Sequence, residues 1–461
     1  MYQKLGEECG IFGIFSRDGA DVSRLTYFAL YALQHRGQEG CGMSVNDLNT
    51  VVTKKDMGLV ADVFDEKFLD ETKGVMAIGH VRYSTTGGNS RENVQPLFTK
   101  YVKGYLSIVH NGNISNAAAL RKQLEDNGAI FHSTSDTEVI AYLLAQQRLK
   151  SGSVEEAVKK VVPMLEGSFS LLIMSPKKLV CVRDPYGIRP LCMGKIGESV
   201  VFASESCALN SIGASFERDI KPGEMVIVTE DGIKTDEKYC GGKTALCIFE
   251  HIYFARQDSI IDGQSVYEAR LEAGRLLAKQ YPVDADMVIG VPDSGICAAI
   301  GYAQQSGICY GEGLVKNRYI GRTFIQPTQG QREQSVNIKL NPLENNVNGK
   351  RIVMIDDSIV RGTTIANIVN MLKKAGATEV HVRVSSPPFL WPCFYGTDVG
   401  TRGQLAAYQH SVEELREIIG ADSLGYLKLE SVCDIAKSSK LDFCTACFSG
   451  EYVYNHGNIK E

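Results

Sequence analysis

No apolar stretch in the 461-residue chain approaches the ~20 residues a helix needs to cross a bilayer. The opening MYQKLGEEC also lacks the basic segment and apolar core of a secretion signal, so the expected location is cytoplasmic. No block of like charge stands out, and Lys+Arg 49 against Asp+Glu 54 leave a formal net charge of −5. That balance argues against a nucleic-acid or membrane partner. Homopolymer tracts and internal repeats are absent, and 44% hydrophobic with 22% charged residues reads as globular throughout. The length favours two domains. No Gly-x-Gly-x-x-Gly follows a strand pattern, which leaves a dinucleotide cofactor without support. The GGKT string at 241–244 has Glu237 where a P-loop needs its first glycine.

Cysteine, by contrast, is plentiful. Thirteen of them, an odd number spread over a long chain without a secretion signal, argue for reduced and mostly buried thiols rather than a disulfide framework. Cys444 and Cys447 in DFCTACF stand apart, because C-x-x-C can place two thiolates on one metal. Cys9 in LGEECGIFGIF is the other unusual position. A thiol attacks as thiolate and has a reference pKa of about 8.5, yet Glu7 and Glu8 supply neither a base nor a positive field. Cleavage after Glu8 would free an α-amino group, of reference pKa about 7.7–8.0, on the nucleophile's own residue, where it could relay the proton.

From Cys9 to about Val228, short β-like runs (Ile11–Phe15, Met76–His80, Leu106–His110, Ser170–Met174, Leu179–Val182, Val200–Ala203, Glu224–Val228) alternate with helical stretches such as Val22–Leu33 and Thr137–Gln147. This predicts an α+β layer fold. Residues 229–246 carry turn signals and little periodicity, and the boundary is placed there, giving domains 9–235 and 236–461. Beyond it, MVIGVPDSG, GICYGEGLV, KRIVMIDDS and EVHVRVSS are apolar runs separated by helical segments, the pattern of a parallel α/β sheet. Two further helices are expected near Val412–Ile419 and Leu427–Ala436.

In KRIVMIDDSIVRGTT an apolar strand ends in Asp356 and Asp357, followed by a small-residue loop and a helix. Ligands of open α/β sheets bind at such strand ends. Ser358, Gly362, Thr363 and Thr364 offer hydroxyls and backbone N–H groups to a phosphate, and the two carboxylates suit sugar hydroxyls, directly or through Mg²⁺. The string resembles the phosphoribosyl pyrophosphate (PRPP) motif of the type I phosphoribosyltransferases. That resemblance implies PRPP binding by Asp356, Asp357, Ser358, Arg361, Gly362, Thr363 and Thr364. It also makes GVPDSG a pyrophosphate loop with Ser294 beside Mg²⁺, and makes Lys316–Gln334, beginning with Lys316, a basic loop that closes over the ligand.

EECGIFGIF, LQHRGQEG, GHVRYSTTG, VHNGNISN and STSDTEV closely resemble the class II glutamine amidotransferases, which use an N-terminal nucleophile in a four-layer αββα fold. Together with the PRPP motif they resemble the glutamine phosphoribosylpyrophosphate amidotransferase family, which opens purine synthesis. The resemblance implies a propeptide of residues 1–8 and a nucleophile at Cys9. It assigns the oxyanion to Asn111 and the N–H of Gly112, the glutamine α-carboxylate to Arg82, its α-ammonium to Asp136, and the pocket wall to Arg36 and Gly37. Cys247, Cys393, Cys444 and Cys447 match the family's cluster ligands; four thiolates suit either Zn²⁺ or [4Fe–4S], and the resemblance favours [4Fe–4S]. It further implies Mg²⁺, feedback by purine nucleotides, and a homotetramer. A nucleotide-sensing regulator without catalysis is the alternative, although the DNA-binding module it would need is not visible.

Overall fold

The computed structural model describes residues 9–83, 90–317, 340–397, 399 and 401–455. Residues 1–8, the Ser84–Gly87 end of one motif and most of the basic loop after Lys316 lie outside them.

Alternation in the first strand sets the architecture of the N-terminal half. Along Gly10–Phe15, Phe12 and Ile14 enter one core while Ile11 and Phe15 enter another. A strand with both faces buried needs a layer on each side. This strand is central in a seven-stranded antiparallel sheet ordered Ser215–Asp219, Cys192–Ile196, Ser199–Ala203, Gly10–Phe15, Met76–Arg82, Gly40–Asn46, Val51–Met57. A six-stranded sheet, ordered Gly232–Asp236, Met225–Thr229, Lys178–Arg183, Gly167–Ser175, Gly104–Ile114, Leu97–Tyr101, faces it. The core between them contains Ile11, Phe15, Ile78, Val109, Leu172 and Phe202. Helix Val22–Ala32, capped by Asp21, covers the outside of the first sheet. Helices Asp136–Leu149 and Val154–Val161 cover the second. The result is the four-layer αββα arrangement.

The C-terminal half is built on a parallel sheet of four strands, ordered Met287–Gly290, Arg351–Asp356, Glu379–Val384, Ser423–Tyr426. Its fourth strand, SLGY, has no long β-branched run and was not expected. GICYGEGLV, expected as a strand of this sheet, is not one. Tyr310 makes only an isolated bridge to Val288, and Leu314–Lys316 pairs antiparallel with Leu340–Pro342 in a separate ribbon. Gly311 and Gly313 press on the side chains of Met287 and Ile289, so the chain crosses the sheet edge without extending it. The expected helix over Leu427–Ala436 is shorter, a turn at Leu429–Val432 continued by a 3₁₀ segment.

The N-terminal sheets run to Asp236, and the next strand, Leu246–Cys247, pairs in parallel with Phe443–Cys444. Buried ion pairs cross between the halves. Arg183 grips Asp262 through both guanidinium ends at 3.0 and 2.7 Å, and Arg36 grips Glu250. Burial alone would raise the pKa of Glu250, but Arg36 and then Arg189 hold it below the usual carboxylate value. Such pairs are costly to desolvate and costlier to break.

Helices Val266–Gln280 and Gly295–Ser306 pack through glycine: a Cβ on Gly274 would overlap the carbonyl of Ala298, and one on Gly301 the carbonyl of Leu271. Gly274→Ala is therefore expected to cost about 1–3 kcal/mol by overpacking, read as a fall of several degrees in Tm. It should also disturb the GVPDSG loop, where the second helix starts. An unchanged Tm would contradict the contact.

Candidate active site

Cys9 is the residue before the central strand and lies buried, its Sγ 3.6 Å from the carbonyl oxygen of Tyr83. Two residues on, the N–H of Ile11 donates to Ser204 Oγ at 2.9 Å, and the same hydroxyl accepts Asn111 Nδ2 at 3.3 Å. One serine thus ties the strand that follows Cys9 in the first sheet to the oxyanion candidate in the second. Asn111 is fully buried, and its Oδ1 has no hydrogen-bond partner among the described residues. Gly112 follows with φ of 146°, and a Cβ there would overlap the carbonyl of Ser168, so only glycine lets its N–H sit at this point.

Arg82 ends the neighbouring strand, where it pairs with Gly40, and is buried. A Cβ on Gly37 would stand 2.6 Å from Arg82 backbone atoms; Gly37 is the contact surface that seats that arginine. His80, two residues before it, is driven down to about 3 by burial and then by the charge of Arg82, so it is neutral at pH 7. Asp136 opens helix Asp136–Leu149. Its Oδ2 accepts the N–H of Ile114 at 3.0 Å and its Oδ1 stands 3.4 Å from His110 Nδ1. Burial pushes this carboxyl up, but His110 and the backbone donors outweigh it and keep it low, and the positive helix end favours the anion too. Arg36 is fully buried: Nε donates to the Cys9 carbonyl at 2.9 Å, while the other nitrogens meet Glu205 and Glu250. It abuts Cys9 through the backbone.

The second constellation sits at the carboxyl ends of the adjacent parallel strands Met287–Gly290 and Arg351–Asp356. Asp356 and Asp357 are both buried. Asp357 accepts Ser294 Oγ at 2.5 Å and Ser358 Oγ at 2.6 Å, so the two strand-end loops meet at this carboxylate. Gly362, with φ of 79°, precedes helix Thr363–Lys374, which no side chain among the described residues caps; its first N–H groups, with Thr363 and Thr364, suit a phosphate. Arg361 reaches Gln404 at 3.0 Å, and Lys316 Nζ pairs with Asp293 at 2.5 Å.

The four candidate ligand cysteines come from three segments that meet. Cys247 lies beside Cys444 in the parallel bridge, and Cys393 Sγ accepts the N–H of Tyr395 at 3.4 Å. Burial chiefly raises the Cys444 thiol, to about 12, and raises Cys447, with charge from Cys393, Cys247 and Cys444 adding to the shift in Cys447. Among the described residues no three His, Cys, Asp or Glu side chains are grouped at the spacing of a single metal ion. None of the thirteen cysteines is in a disulfide, and Cys309 and Cys433 are exposed, so fewer are buried than composition suggested.

Several contributors left no local signature in the sequence: Ser204, Glu205 and Glu250 are buried polar residues whose partners lie far along the chain. Asn113 and His110, inside the VHNGNISN string, could have been singled out with it.

Cys9 and Asn111 between two sheets, joined to the Asp356–Asp357 pair at the end of a parallel strand, fit a glutamine amidotransferase domain with a phosphoribosyltransferase partner. A glutamine amidotransferase domain model matches residues 80–211, and a phosphoribosyl transferase domain model matches residues 264–386. Amidophosphoribosyltransferase of Bacillus subtilis is 48% identical over 97% of this chain and 94% of its own, and that of Archaeoglobus fulgidus 47% identical over 96% and 97%. The solved B. subtilis glutamine PRPP amidotransferase, bound to ADP and GMP, superposes with a TM-score of 0.90 at 46% identity, covering 98% of this chain and 99% of that one. The chain belongs to the amidophosphoribosyltransferase family, and it is an enzyme rather than a regulator without catalysis. No helix among the described residues is long and apolar enough to cross a membrane.

Gly37→Ala should displace Arg82 and raise KM for glutamine by about tenfold or more, with ammonium-dependent turnover retained. Steady-state kinetics with both nitrogen donors check it, and an unchanged KM for glutamine would refute the contact's importance.

Proposed function

We propose that this enzyme hydrolyses glutamine at Cys9 and delivers the ammonia to C1 of PRPP, giving 5-phosphoribosylamine and pyrophosphate. The observation that carries the reading is the joint hold of Ser204 on the Cys9 strand and on Asn111, in a chain whose other half gathers Ser294, Asp357 and Ser358 at one strand end.

Removal of residues 1–8 makes the α-amino group of Cys9 the base that takes the thiol proton. The thiolate attacks the side-chain amide carbon while Asn111 Nδ2 and the Gly112 N–H receive the oxyanion. Arg82 holds the substrate α-carboxylate and Asp136 its α-ammonium. The carbon–nitrogen bond breaks as the proton passes to the leaving nitrogen, ammonia departs, and water hydrolyses the thioester to glutamate. In the second site Asp356 and Asp357 hold the ribose hydroxyls, the loop from Ser358 to Thr364 holds the 5-phosphate, and the Ser294 loop with Lys316 holds the pyrophosphate. Mg²⁺, held by Ser294, Asp356 and Asp357 with the substrate's phosphates, would neutralise charge on the leaving group; one or two carboxylates suffice for such a site.

The same reading includes a [4Fe–4S] cluster on Cys247, Cys393, Cys444 and Cys447, fastening the C-terminal segment, and thus the processed, cluster-bearing subtype. A cytoplasmic homotetramer regulated by purine nucleotides completes it; the nucleotides seen on the B. subtilis relative support that regulation.

Cys9→Ser is expected to abolish glutamine-dependent pyrophosphate release while sparing release with ammonium; retained glutamine use would sink the assignment. Purified protein should be brown, contain iron with acid-labile sulfide, and begin at Cys9 by intact mass. A colourless, zinc-loaded protein would refute the cluster.

A further inference from the structure

Glu250 belongs to the phosphoribosyltransferase half, yet its carboxylate serves the other half. It opens the π-helical turn Glu250–Phe254, a rare geometry that recurs at functional sites, and it is fully buried. Its two oxygens receive the Arg36 guanidinium at 2.9 and 2.8 Å, and Arg36 Nε in turn donates to the carbonyl oxygen of Cys9 at 2.9 Å. Glu205 takes Arg36 Nη1 at 2.6 Å, so the guanidinium plane has no freedom to swing. The peptide that follows the nucleophile is therefore held by an arginine whose orientation a neighbouring domain dictates.

A second branch leaves the same carboxylate. Arg189 Nη1 stands 3.3 Å from Glu250 Oε1, and its Nη2 donates to the carbonyl of Tyr395. That carbonyl also accepts Ser168 Oγ at 2.7 Å, and Ser168 Oγ accepts the N–H of Asn113 at 3.1 Å. Asn113 directly follows Gly112, and its side chain donates to the carbonyl of Phe394 at 2.9 Å. The strand carrying the oxyanion donors is thus braced by the Phe394–Tyr395 segment of the second domain, next to Cys393. The π-turn itself is fixed from behind: Arg270 donates to the carbonyls of His251, Tyr253 and Ala255. The location of Glu250 is set by packing within the phosphoribosyltransferase half.

We propose that Glu250 is a positioning residue of the glutaminase reaction, holding Arg36 against the Cys9 carbonyl and, through Arg189 and Tyr395, holding the strand that presents Asn111 and Gly112. The inference rests on the glutamine-cleaving reading of the Cys9 site. Glutamine-dependent turnover by the full-length wild-type enzyme tests that reading separately, before any variant is made.

Glu250→Gln keeps the shape but loses the charge and one acceptor. It is expected to lower kcat with glutamine about ten- to a hundredfold, the scale of a small misplacement at a reacting centre, while ammonium-dependent kcat and KM stay within about twofold. Alkylation of Cys9 by a chloroketone analogue of glutamine, followed by intact mass, should slow by a similar factor; a role in stability alone would not move that rate in the folded protein. Equal losses with glutamine and ammonium, or an unchanged alkylation rate, would overturn the proposal. If Glu250→Gln fails to fold, Arg189→Lys provides the same comparison, with a smaller glutamine-specific loss expected and no such loss counting against it.

Discussion

The dry contact between the two N-terminal sheets is the constraint on which the glutaminase site depends. Ile11, Phe15 and Ile78 from one sheet meet Val109 and Leu172 from the other, and sheets packed this way stand about 10 Å apart. Interiors are close-packed and deform little, so the separation of the Cys9 strand from the Asn111 strand is set by the apolar side chains between the sheets. Ser204 spans the gap at its rim. Chemistry at Cys9 therefore inherits its geometry from residues that never touch a substrate.

Electrostatics divide the labour between the halves differently. Around Cys9, buried carboxylates have close partners: Glu205 and, from the other half, Glu250 surround Arg36, and Asp136 leans on His110. Each carboxyl is kept ionised by a partner that offsets its desolvation. In the C-terminal half, Asp356 and Asp357 are buried with hydroxyls and backbone N–H groups around them. A cation-assisted phosphate ligand suits that second environment, and a zwitterionic amino acid suits the first.

Local pattern made much of this legible. Apolar runs ending in charged or polar strings marked the Asp356–Asp357 strand end and the strand after Cys9, because a buried strand must be apolar while a site at its end must not be. What stayed hidden was partnership. Glu250 reads as an ordinary acid in LCIFEHIYF, and Glu205 as a helix-start residue in ASESC; their meaning comes from Arg36, far away in sequence. Strands such as Gly40–Asn46, with two glycines, and Ser423–Tyr426 carry weak propensity and form because neighbours on the sheet demand them. GICYGEGLV failed in the opposite sense, since its apolar residues pack on the sheet edge without joining the ladder.

The short parallel bridge between Leu246–Cys247 and Phe443–Cys444 has a consequence in time. It closes a loop holding nearly the entire phosphoribosyltransferase half, and loop closure of that length comes late in folding. Glu250 lies just beyond its first strand. With the role proposed for Glu250, a nascent chain would form its glutaminase sheets before the contacts that hold Arg36 are complete, and full ammonia release would wait until the domain that consumes ammonia exists.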